Sequence, residues 1–240
     1  MNKVAIVTGS GRRLGRQIAI ALGENGYNVV VNYNQSLMRA KETVKLIEGF
    51  GGSAISIKAD VSKRKDVHKM INATVREFGH IDVLVNNAAI FIHSPLKETS
   101  EKVWNTTIDI NLKGTFLCSQ AVALHMLKKK SGRIINIASL GGIQPWKEHI
   151  PYSVSKAGVI MLTKILAKAL APNIYVNAIA PGTIIIDDEE TANTTHMSVK
   201  KIPLKKYGKP RDITDMVLYL ATTSQYTTGQ IFSVDGGRSI

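Results

Sequence analysis

The sequence predicts an α/β protein in which a doubly wound, mostly parallel sheet of seven strands is covered by helices on both faces. Short apolar runs rich in β-branched residues alternate with longer segments of helical period, which is typical of repeated strand–helix units. The runs are almost continuously apolar, as expected for strands that are buried on both faces. Because strand–helix–strand crossovers are right-handed, the helices are expected to stack on both sides of one sheet.

Seven runs are predicted as strands, and the segments between them as helices. In chain order the strands cover residues 4–8, 28–32, 53–57, 82–86, 133–138, 174–179 and 230–234. The first helix is expected to end at Gly26, and a long helix is expected from Lys156 towards Pro172. The chain has 240 residues, of which 44% are hydrophobic, and it contains no low-complexity linker or internal repeat. One domain over residues 1–240 is therefore expected.

Composition narrows the classes of partner. The formal net charge is +13, but the basic residues are spread along the chain without interleaved aromatic residues, so a nucleic-acid interface is not expected. The charge favours acidic partners, including a phosphorylated cofactor. Cys118 is the single cysteine, which excludes a disulfide framework, and no Cys/His cluster has zinc-ligand spacing. Since the sequence has no leader and no apolar stretch of bilayer length, we expect a cytoplasmic protein that binds neither metal nor membrane.

A glycine-rich turn, TGSGRRLG at 8–15, stands between the first strand and the first helix. Glycines allow the backbone to turn sharply and to approach a pyrophosphate, which the amides and dipole at a helix N-terminus stabilise. The strand–turn–helix context is the one that a dinucleotide motif requires, so a dinucleotide-binding Rossmann fold is predicted. The expected contacts are Gly9, Gly11, Arg12, Arg13, Leu14 and Gly15.

The end of the second strand predicts which dinucleotide binds. Proteins that prefer NAD(H) usually have an acidic residue there, which holds the ribose 2′-hydroxyl and repels a 2′-phosphate. No acidic residue occurs from Val29 to Lys41. Arg12 can supply the positive charge that a phosphate requires, while the role of Arg13 stays open between phosphate and solvent. NADP(H) is the predicted cofactor, with neutral hydrogen bonds from Asn32, Tyr33, Asn34 and Ser36.

Several motifs in order along the chain resemble the short-chain dehydrogenase/reductase family. After the glycine loop they are ADV at 59–61, NNAA at 86–89, NLKG at 111–114, NIASLGG around Ser139, YSVSK at 152–156, NAIAPG at 177–182 and a terminal GQIFSVDGG. The resemblance covers essentially the whole chain and implies a catalytic tetrad of Asn111, Ser139, Tyr152 and Lys156. It also implies cofactor contacts by Asp60, Val61, Asn86, Ala88, Pro181, Gly182, Thr183 and Ile184, together with Tyr152 and Lys156.

The resemblance implies that the tetrad interconverts a carbonyl and a secondary alcohol by hydride transfer. Tyr152 would donate a proton to the substrate oxygen, which Ser139 would hold by a hydrogen bond. An ordinary tyrosine pKa of about 10 is poorly matched to neutral pH, so Lys156, one helical turn further on, is expected to lower it. Lys156 would also bind the nicotinamide ribose, and Asn111 would hold a water that connects Lys156 to solvent.

Three positions depart from the usual pattern of the family. Arg13 replaces the middle glycine of the loop, so the backbone there has to accommodate a side chain. Ala89 replaces the glycine of the usual NNAG motif. Ile186 stands where a threonine often contacts the nicotinamide carboxamide, which puts that contact in doubt.

The pocket walls are expected to select the substrate, because the tetrad specifies only the reaction. The predicted lid covers 183–204, Trp146 is expected either to pack structurally or to line the pocket, and His149 is a candidate pocket residue. Within the family the sequence looks most similar to 3-oxoacyl-[acyl-carrier-protein] reductases. Pteridine reductases, with Phe91 available to stack on a pterin, are the runner-up, although they usually have Asp at the position of Ser139.

Two other hypotheses stay open. One is a sugar or polyol dehydrogenase, and the other is a non-catalytic NADP(H)-binding scaffold or sensor. The complete tetrad argues against the scaffold, since a pure binding protein does not need all four groups. The resemblance further implies a small-molecule or carrier-bound carbonyl substrate and a homotetramer, or at least a dimer.

Overall fold

The computed structural model describes residues 2–186 and 198–240, and it contains the predicted seven-stranded sheet. All neighbouring strands pair in parallel, in the order β3-β2-β1-β4-β5-β6-β7. The direction of winding changes between β1 and β4, and ligands of such sheets bind at this switch point, beyond the carboxyl ends of the strands. The strands are β1 (Val4–Val7), β2 (Asn28–Tyr33), β3 (Ser53–Lys58), β4 (Val83–Asn86), β5 (Gly132–Ile137), β6 (Ile174–Pro181) and β7 (Ile231–Val234).

The helices of the described residues follow the strands as predicted. They are α1 (Arg13–Glu24), α2 (Leu37–Gly49), α3 (Arg64–Phe78), α4 (Glu101–Ile108), α5 (Gly114–Lys129), α6 (Ile150–Leu170) and α7 (Pro210–Leu218). A π-helical turn, Asp109–Lys113, joins α4 to α5, and a 3₁₀ turn, Leu140–Gly142, follows β5. The long helix predicted from Lys156 begins earlier, at Ile150, so Tyr152 and Lys156 both lie in its first turns.

The sheet separates two apolar layers. Successive residues of β1 point to opposite faces, so Ala5 and Val7 belong to one cluster and Ile6 to the other. The first cluster packs α1, α2 and α7 on one face, and the second packs α3, α5 and the end of α6 on the other. Burial on both faces is the physical reason for the continuously apolar strands.

A hydrogen-bonded polar chain crosses the middle of the sheet near the ends of β4 and β5. The Asn86 amide donates to the Ser119 hydroxyl (3.0 Å) and to the Asn136 amide oxygen (2.8 Å). The Asn136 amide in turn donates to the Thr163 hydroxyl (2.9 Å). All four side chains are buried, so these bonds fix β4 and β5 against α5 and α6.

Two further features of the described residues concern the acidity of Cys118 and membrane insertion. Cys118 is buried, and burial raises the pKa of its thiol to about 12, so this thiol is not a nucleophile near neutral pH. In the described part of the chain, no helix combines the length and the apolar character that crossing a bilayer requires.

Candidate active site

The glycine loop follows β1 at the carboxyl edge of the sheet, and its backbone is closely surrounded. Gly9 has φ +62°, and a Cβ there would lie 2.9 Å from the Ala88 Cα. A Cβ at Gly15 would lie 2.5 Å from the Gly9 carbonyl oxygen. A Cβ at Gly11 would lie 2.7 Å from the Ser36 hydroxyl. The loop therefore requires glycine at these places, and it leads into the N-terminus of α1, a geometry that fits a pyrophosphate.

Side chains from neighbouring strands hold this loop. The Thr8 hydroxyl accepts hydrogen bonds from the backbone N–H groups of Asn87 (2.9 Å) and Ala88 (3.0 Å). The Asn87 amide donates to the carbonyl oxygens of Thr8 (2.9 Å) and Gly9 (3.1 Å). Asn87 had no assigned role in the sequence analysis, although its place in the NNAA motif was the available signal.

Asn32 has a different position from the one that its prediction as a cofactor contact implies. It is 1% exposed, and its amide oxygen accepts from the Gly9 N–H (3.0 Å). Its amide nitrogen donates to the Ala59 carbonyl (3.1 Å). The amide oxygen and nitrogen of Asn32 thus both bind backbone atoms, and the side chain stabilises the glycine loop through Gly9. Tyr33, Asn34 and Ser36 follow at the end of β2, where no carboxylate is present.

Arg12 and Arg13 stand at the start of α1. Arg12 has extended backbone and an exposed side chain. Arg13 has φ +52°, in the left-handed region that favours glycine, which costs a residue with a side chain about 1–2 kcal/mol. The backbone at Arg13 thus adopts a conformation that favours glycine, and its side chain lies at the surface.

Further predicted cofactor contacts lie at the ends of β3 and β4 or just beyond them. The Asp60 carboxylate accepts from the Ser62 N–H (2.9 Å) and hydroxyl (2.7 Å), which orders the turn after β3. Val61 is buried next to Gly114, where a Cβ would approach the valine to 2.8 Å. The Asn86 side chain belongs to the polar chain in the sheet, so only its backbone borders the groove. Ala89 is exposed, and its methyl group is accommodated without a clash at the surface.

The tetrad side chains meet at the ends of β5 and α6. Lys156 is 3% exposed, and its ammonium group donates to the Ile137 carbonyl (2.6 Å) and lies 5.8 Å from the centre of the Tyr152 ring. The Ser139 side chain is close enough to the Tyr152 phenol to lower the pKa of that phenol. Ser139 itself is oriented by the Gly141 N–H, which donates to its hydroxyl (3.0 Å).

Burial controls the acidity of both titratable groups. Burial raises the pKa of Tyr152 above its ordinary value, and the nearby Ser139 side chain opposes part of this rise. Burial also lowers the pKa of Lys156 to about 8. The pKa of Tyr152 is therefore raised and not lowered as expected, because desolvation is the largest influence on the phenol.

Asn111 lies in the π-helical turn and is fully buried. Its amide oxygen accepts from the Ile90 N–H (2.8 Å), and its amide nitrogen donates to the Ile90 carbonyl (3.0 Å) and to the Ser155 hydroxyl (3.1 Å). The Ser155 hydroxyl donates to the Tyr152 carbonyl (2.7 Å), so Asn111 reaches the catalytic helix through Ser155. Both amide protons of Asn111 are used in these bonds. Sequence reasoning missed Ser155, whose place between Tyr152 and Lys156 was the signal.

Three rings form a group that we call the aromatic wall: Phe91, Trp146 and His149. Phe91 and Trp146 lie beside Tyr152, and His149 lies against Phe91. Phe91 meets Tyr152 edge to face with ring centres 4.7 Å apart, and it stacks on His149 at 4.0 Å. Trp146 lies parallel to Tyr152, at 13° and 6.1 Å between centres. Of the two open interpretations of Trp146, its position beside Tyr152 favours the pocket wall.

The segment after β6 closes the other side of the site. Gly182 is packed so closely that a Cβ would lie 2.7 Å from the Asp235 Cα, and Ile184 pairs with Gly208 as an isolated bridge. The Thr183 hydroxyl accepts from the Arg238 guanidinium (3.3 Å). Pro181 ends β6, as expected for a cofactor-side turn. Within the predicted lid, 183–204, residues 187–197 lie outside the described residues.

Comparison with known proteins identifies the family. The family model described as "Enoyl-(Acyl carrier protein) reductase" matches residues 9–239. A 3-oxoacyl-[acyl-carrier-protein] reductase of Synechocystis is 44% identical, over 98% of this chain and 96% of the relative. Another reductase of that name, from Staphylococcus epidermidis, is 43% identical over 99% of both chains.

This chain belongs to the short-chain dehydrogenase/reductase family. The solved structure of acetoin dehydrogenase from Salmonella typhimurium superposes with a TM-score of 0.90 at 33% identity, covering 99% of this chain and 96% of that one. As a member of this family the protein is an oxidoreductase that uses a nicotinamide dinucleotide to reduce a carbonyl. The close glycine loop, the absence of a carboxylate after β2 and the Tyr–Lys–Ser cluster all fit such a cofactor.

Proposed function

We propose that the protein is an NADPH-dependent 3-oxoacyl-[acyl-carrier-protein] reductase. The observation that carries the proposal is the identity of 44% over 98% of the chain to a reductase of that name, combined with a cluster of Tyr152 and Lys156 on α6 and Ser139 just after β5. The bound nicotinamide would supply the hydride. The residues of this chain would bind the substrate oxygen and supply the proton.

The roles of the tetrad follow from its geometry. The Ser139 hydroxyl and the Tyr152 phenol, which lie next to each other, would together hold the carbonyl oxygen. Tyr152 would donate its proton as the alcohol forms, and the raised pKa keeps this donor protonated at neutral pH. Lys156 would stabilise the phenolate that remains and bind the nicotinamide ribose. Asn111 would act as a positioning residue, since its amide connects Ile90 to Ser155.

Preference for NADPH is proposed from the phosphate end of the site. No acidic residue lies between Val29 and Lys41, and Arg12 is exposed at the start of α1, next to the expected position of a 2′-phosphate. Arg12→Ala should weaken NADPH binding about tenfold and leave NADH binding unchanged, because only NADPH has the phosphate to lose a charged contact. Fluorescence titration measures both constants, with Arg76→Ala on α3 as the control. Equal losses for the two cofactors would contradict the assignment.

The assay of the proposed reaction is NADPH consumption with acetoacetyl-[acyl-carrier protein]. The wild-type protein should reduce the 3-oxo group of this thioester. Tyr152→Phe should bind NADPH normally but lower kcat by about 10²–10⁴, because general acid catalysis is lost. Thermal melting should show that this variant remains folded. Absence of thioester reduction by the wild-type protein would overturn the substrate, and an active Tyr152→Phe would overturn the role of the tyrosine.

We also propose a carrier-protein partner, a cellular location and an oligomeric state. The formal net charge of +13 would favour an acidic carrier protein as the substrate donor. A cytoplasmic location would suit a protein with a single cysteine, which is buried. We further propose a single domain over 1–240 with a substrate lid at 183–204, and a homotetramer.

A further inference from the structure

We propose that the same site has a further activity, the reduction of ketones whose carbonyl adjoins a flat conjugated ring. The ring would bind against the aromatic wall of Phe91, Trp146 and His149. This inference rests on the proposed hydride transfer at Tyr152, and it names a second class of substrate beside 3-oxoacyl thioesters.

The wall stands where the group attached to a reacting carbonyl must lie. A carbonyl oxygen bonded to Tyr152 and Ser139 places its substituents within a few ångströms of the phenol ring. Phe91 contacts that ring at 4.7 Å between centres and Trp146 at 6.1 Å, while His149 stacks behind Phe91 at 4.0 Å. A flat substituent would therefore meet aromatic surface.

Hydrogen bonds hold the Phe91 segment in place from both sides. Ile90 is bound at both its N–H (2.8 Å) and its carbonyl (3.0 Å) by Asn111. The Ile92 carbonyl is 2.8 Å from the His149 Nδ1. Two residues further, the Ser94 N–H donates to the Glu148 carbonyl (2.7 Å). The wall is therefore formed before a substrate arrives, which lowers the entropic cost of binding a rigid ring.

Trp146 is held by a different contact. Its ring lies on the backbone of Gly141, where a Cβ would approach the indole to 2.8 Å. The same Gly141 orients the Ser139 hydroxyl through its N–H. The indole plane is thus fixed relative to the group that would hold the carbonyl oxygen.

Phe91 leaves much of its surface available. It is 57% exposed although it contacts three other rings, a level close to that of Phe50 (59%), which lies at the end of α2. A flat ring that covers Phe91 gains both burial and the geometry-dependent attraction between aromatic faces and edges. A saturated acyl chain gains only burial, so the wall distinguishes the two classes.

The reaction is the same as that proposed for the 3-oxo group of a 3-oxoacyl thioester. Bound NADPH would supply the hydride to the carbonyl carbon and become NADP⁺, while Tyr152 would donate its proton to the carbonyl oxygen, so that the ketone becomes a secondary alcohol. No other reductant is required. Only the contact with the substituent differs.

Two matched diketones test the proposal: 1-phenylpropane-1,2-dione, which has a ring, and pentane-2,3-dione, which has none. Phe91→Ala should lower kcat/KM for the phenyl diketone about tenfold more than it lowers kcat/KM for pentanedione, because only the phenyl diketone loses a ring contact. Phe50→Ala, an equally exposed phenylalanine, should change neither. The ratio of variant to wild type removes the intrinsic difference in reactivity between the two ketones. Equal effects of Phe91→Ala on both diketones, or no effect on either, would overturn the proposal.

Fluorescence gives a readout without turnover. The sequence contains two tryptophans, so Trp104→Phe leaves Trp146 as the single reporter. With oxidised NADP⁺ present, no reduction can occur, and the phenyl diketone should quench Trp146 saturably, whereas Phe91→Ala in that background should weaken the binding about tenfold. Linear quenching without saturation would overturn the wall as a binding surface. A protein that reduces 3-oxoacyl thioesters but does not bind the phenyl diketone would reject this inference alone. A protein that binds the phenyl diketone but reduces no carbonyl would reject the proposed function.

Discussion

Lys156 carries a positive charge in a place where desolvation opposes it. The side chain is 3% exposed, and its ammonium group donates to the Ile137 carbonyl at 2.6 Å. Burial lowers the pKa of Lys156 to about 8 from the ordinary value of 10.5. A neutral carbonyl compensates only part of the lost hydration, so the lysine reduces the stability of the fold while it serves the site.

The sign of the resulting pH dependence is determined by which state binds the proton. Below about pH 8 the lysine is charged in both states, and the folded protein bears the full cost of its burial. Between about pH 8 and 10.5 the unfolded chain holds a proton that the folded protein has lost, so this contribution to the free energy of unfolding rises with pH. The contribution is on the order of 3 kcal/mol across that window.

Lys156→Met tests this assignment, because it keeps the length of the side chain and removes the titration. Urea unfolding of wild type and variant from pH 7 to 10 should show that the wild type gains stability relative to Lys156→Met as the pH rises. Lys128→Met on the exposed side of α5 serves as the control and should show no such relative gain. A constant difference between wild type and Lys156→Met across this range would contradict a lowered lysine pKa.

At the scale of elements, the position of α6 decides the geometry of the site. This helix carries Tyr152, Ser155 and Lys156, and its backbone lies directly against the 3₁₀ turn after β5. A Cβ at Gly142 would lie 2.6 Å from the Lys156 carbonyl carbon and 2.8 Å from the Ala157 nitrogen. Since both contacts are backbone atoms, they cannot move aside as a flexible side chain does.

Gly142→Ala should therefore displace α6 from the turn that holds Ser139. We expect a loss of about 1–3 kcal/mol in the free energy of unfolding, as for an overpacked core, and a fall in kcat as Tyr152 moves away from Ser139. Gly49→Ala at the end of α2, where a Cβ meets nothing within 4 Å, should change neither quantity appreciably. Urea unfolding and steady-state kinetics measure the two effects. Wild-type stability in Gly142→Ala would show that the helix accommodates a side chain there.

At the scale of the whole molecule, α5 and α6 present apolar side chains to solvent. On α6, Val154, Met161 and Ile165 are 45%, 56% and 55% exposed, and their spacing of seven and four residues puts them on one face. On α5, Leu124 is 57% exposed. Exposed apolar patches of this kind mark interaction sites, which agrees with the proposed assembly of several copies.

Met161→Glu combined with Ile165→Glu should dissociate that assembly, because two charges would be buried without partners in a contact between copies. Sedimentation velocity should show a shift from tetramer or dimer to a smaller species. Met38→Glu on α2, at a methionine that is 69% exposed, is the matched control and should sediment as the wild type does. A wild-type protein that sediments as a monomer at micromolar concentration would contradict the assembly.

The sequence by itself determined the properties that depend on local chemistry. The seven strands were predicted within two residues of their observed ends, because apolar β-branched runs form buried strands wherever helices cover them. Gly9, Gly11 and Gly15 predicted a sharp turn after the first strand, and the chain does turn there between β1 and α1, with φ +62° at Gly9. The order of motifs was enough to identify the family and its reaction class.

The tertiary structure alone decided the properties that depend on distant side chains meeting. Asn32 lies near the end of β2, where a cofactor contact was predicted, yet its amide binds the backbone of Gly9 and Ala59. The sequence pattern does not show which groups a buried amide will bind. The aromatic wall joins residues from the loop after β4 to residues before α6, more than fifty positions apart, through the pairing of Ile92 with His149. The acidity of Tyr152 also required the fold, because desolvation depends on everything packed around the phenol and not on the lysine one turn away.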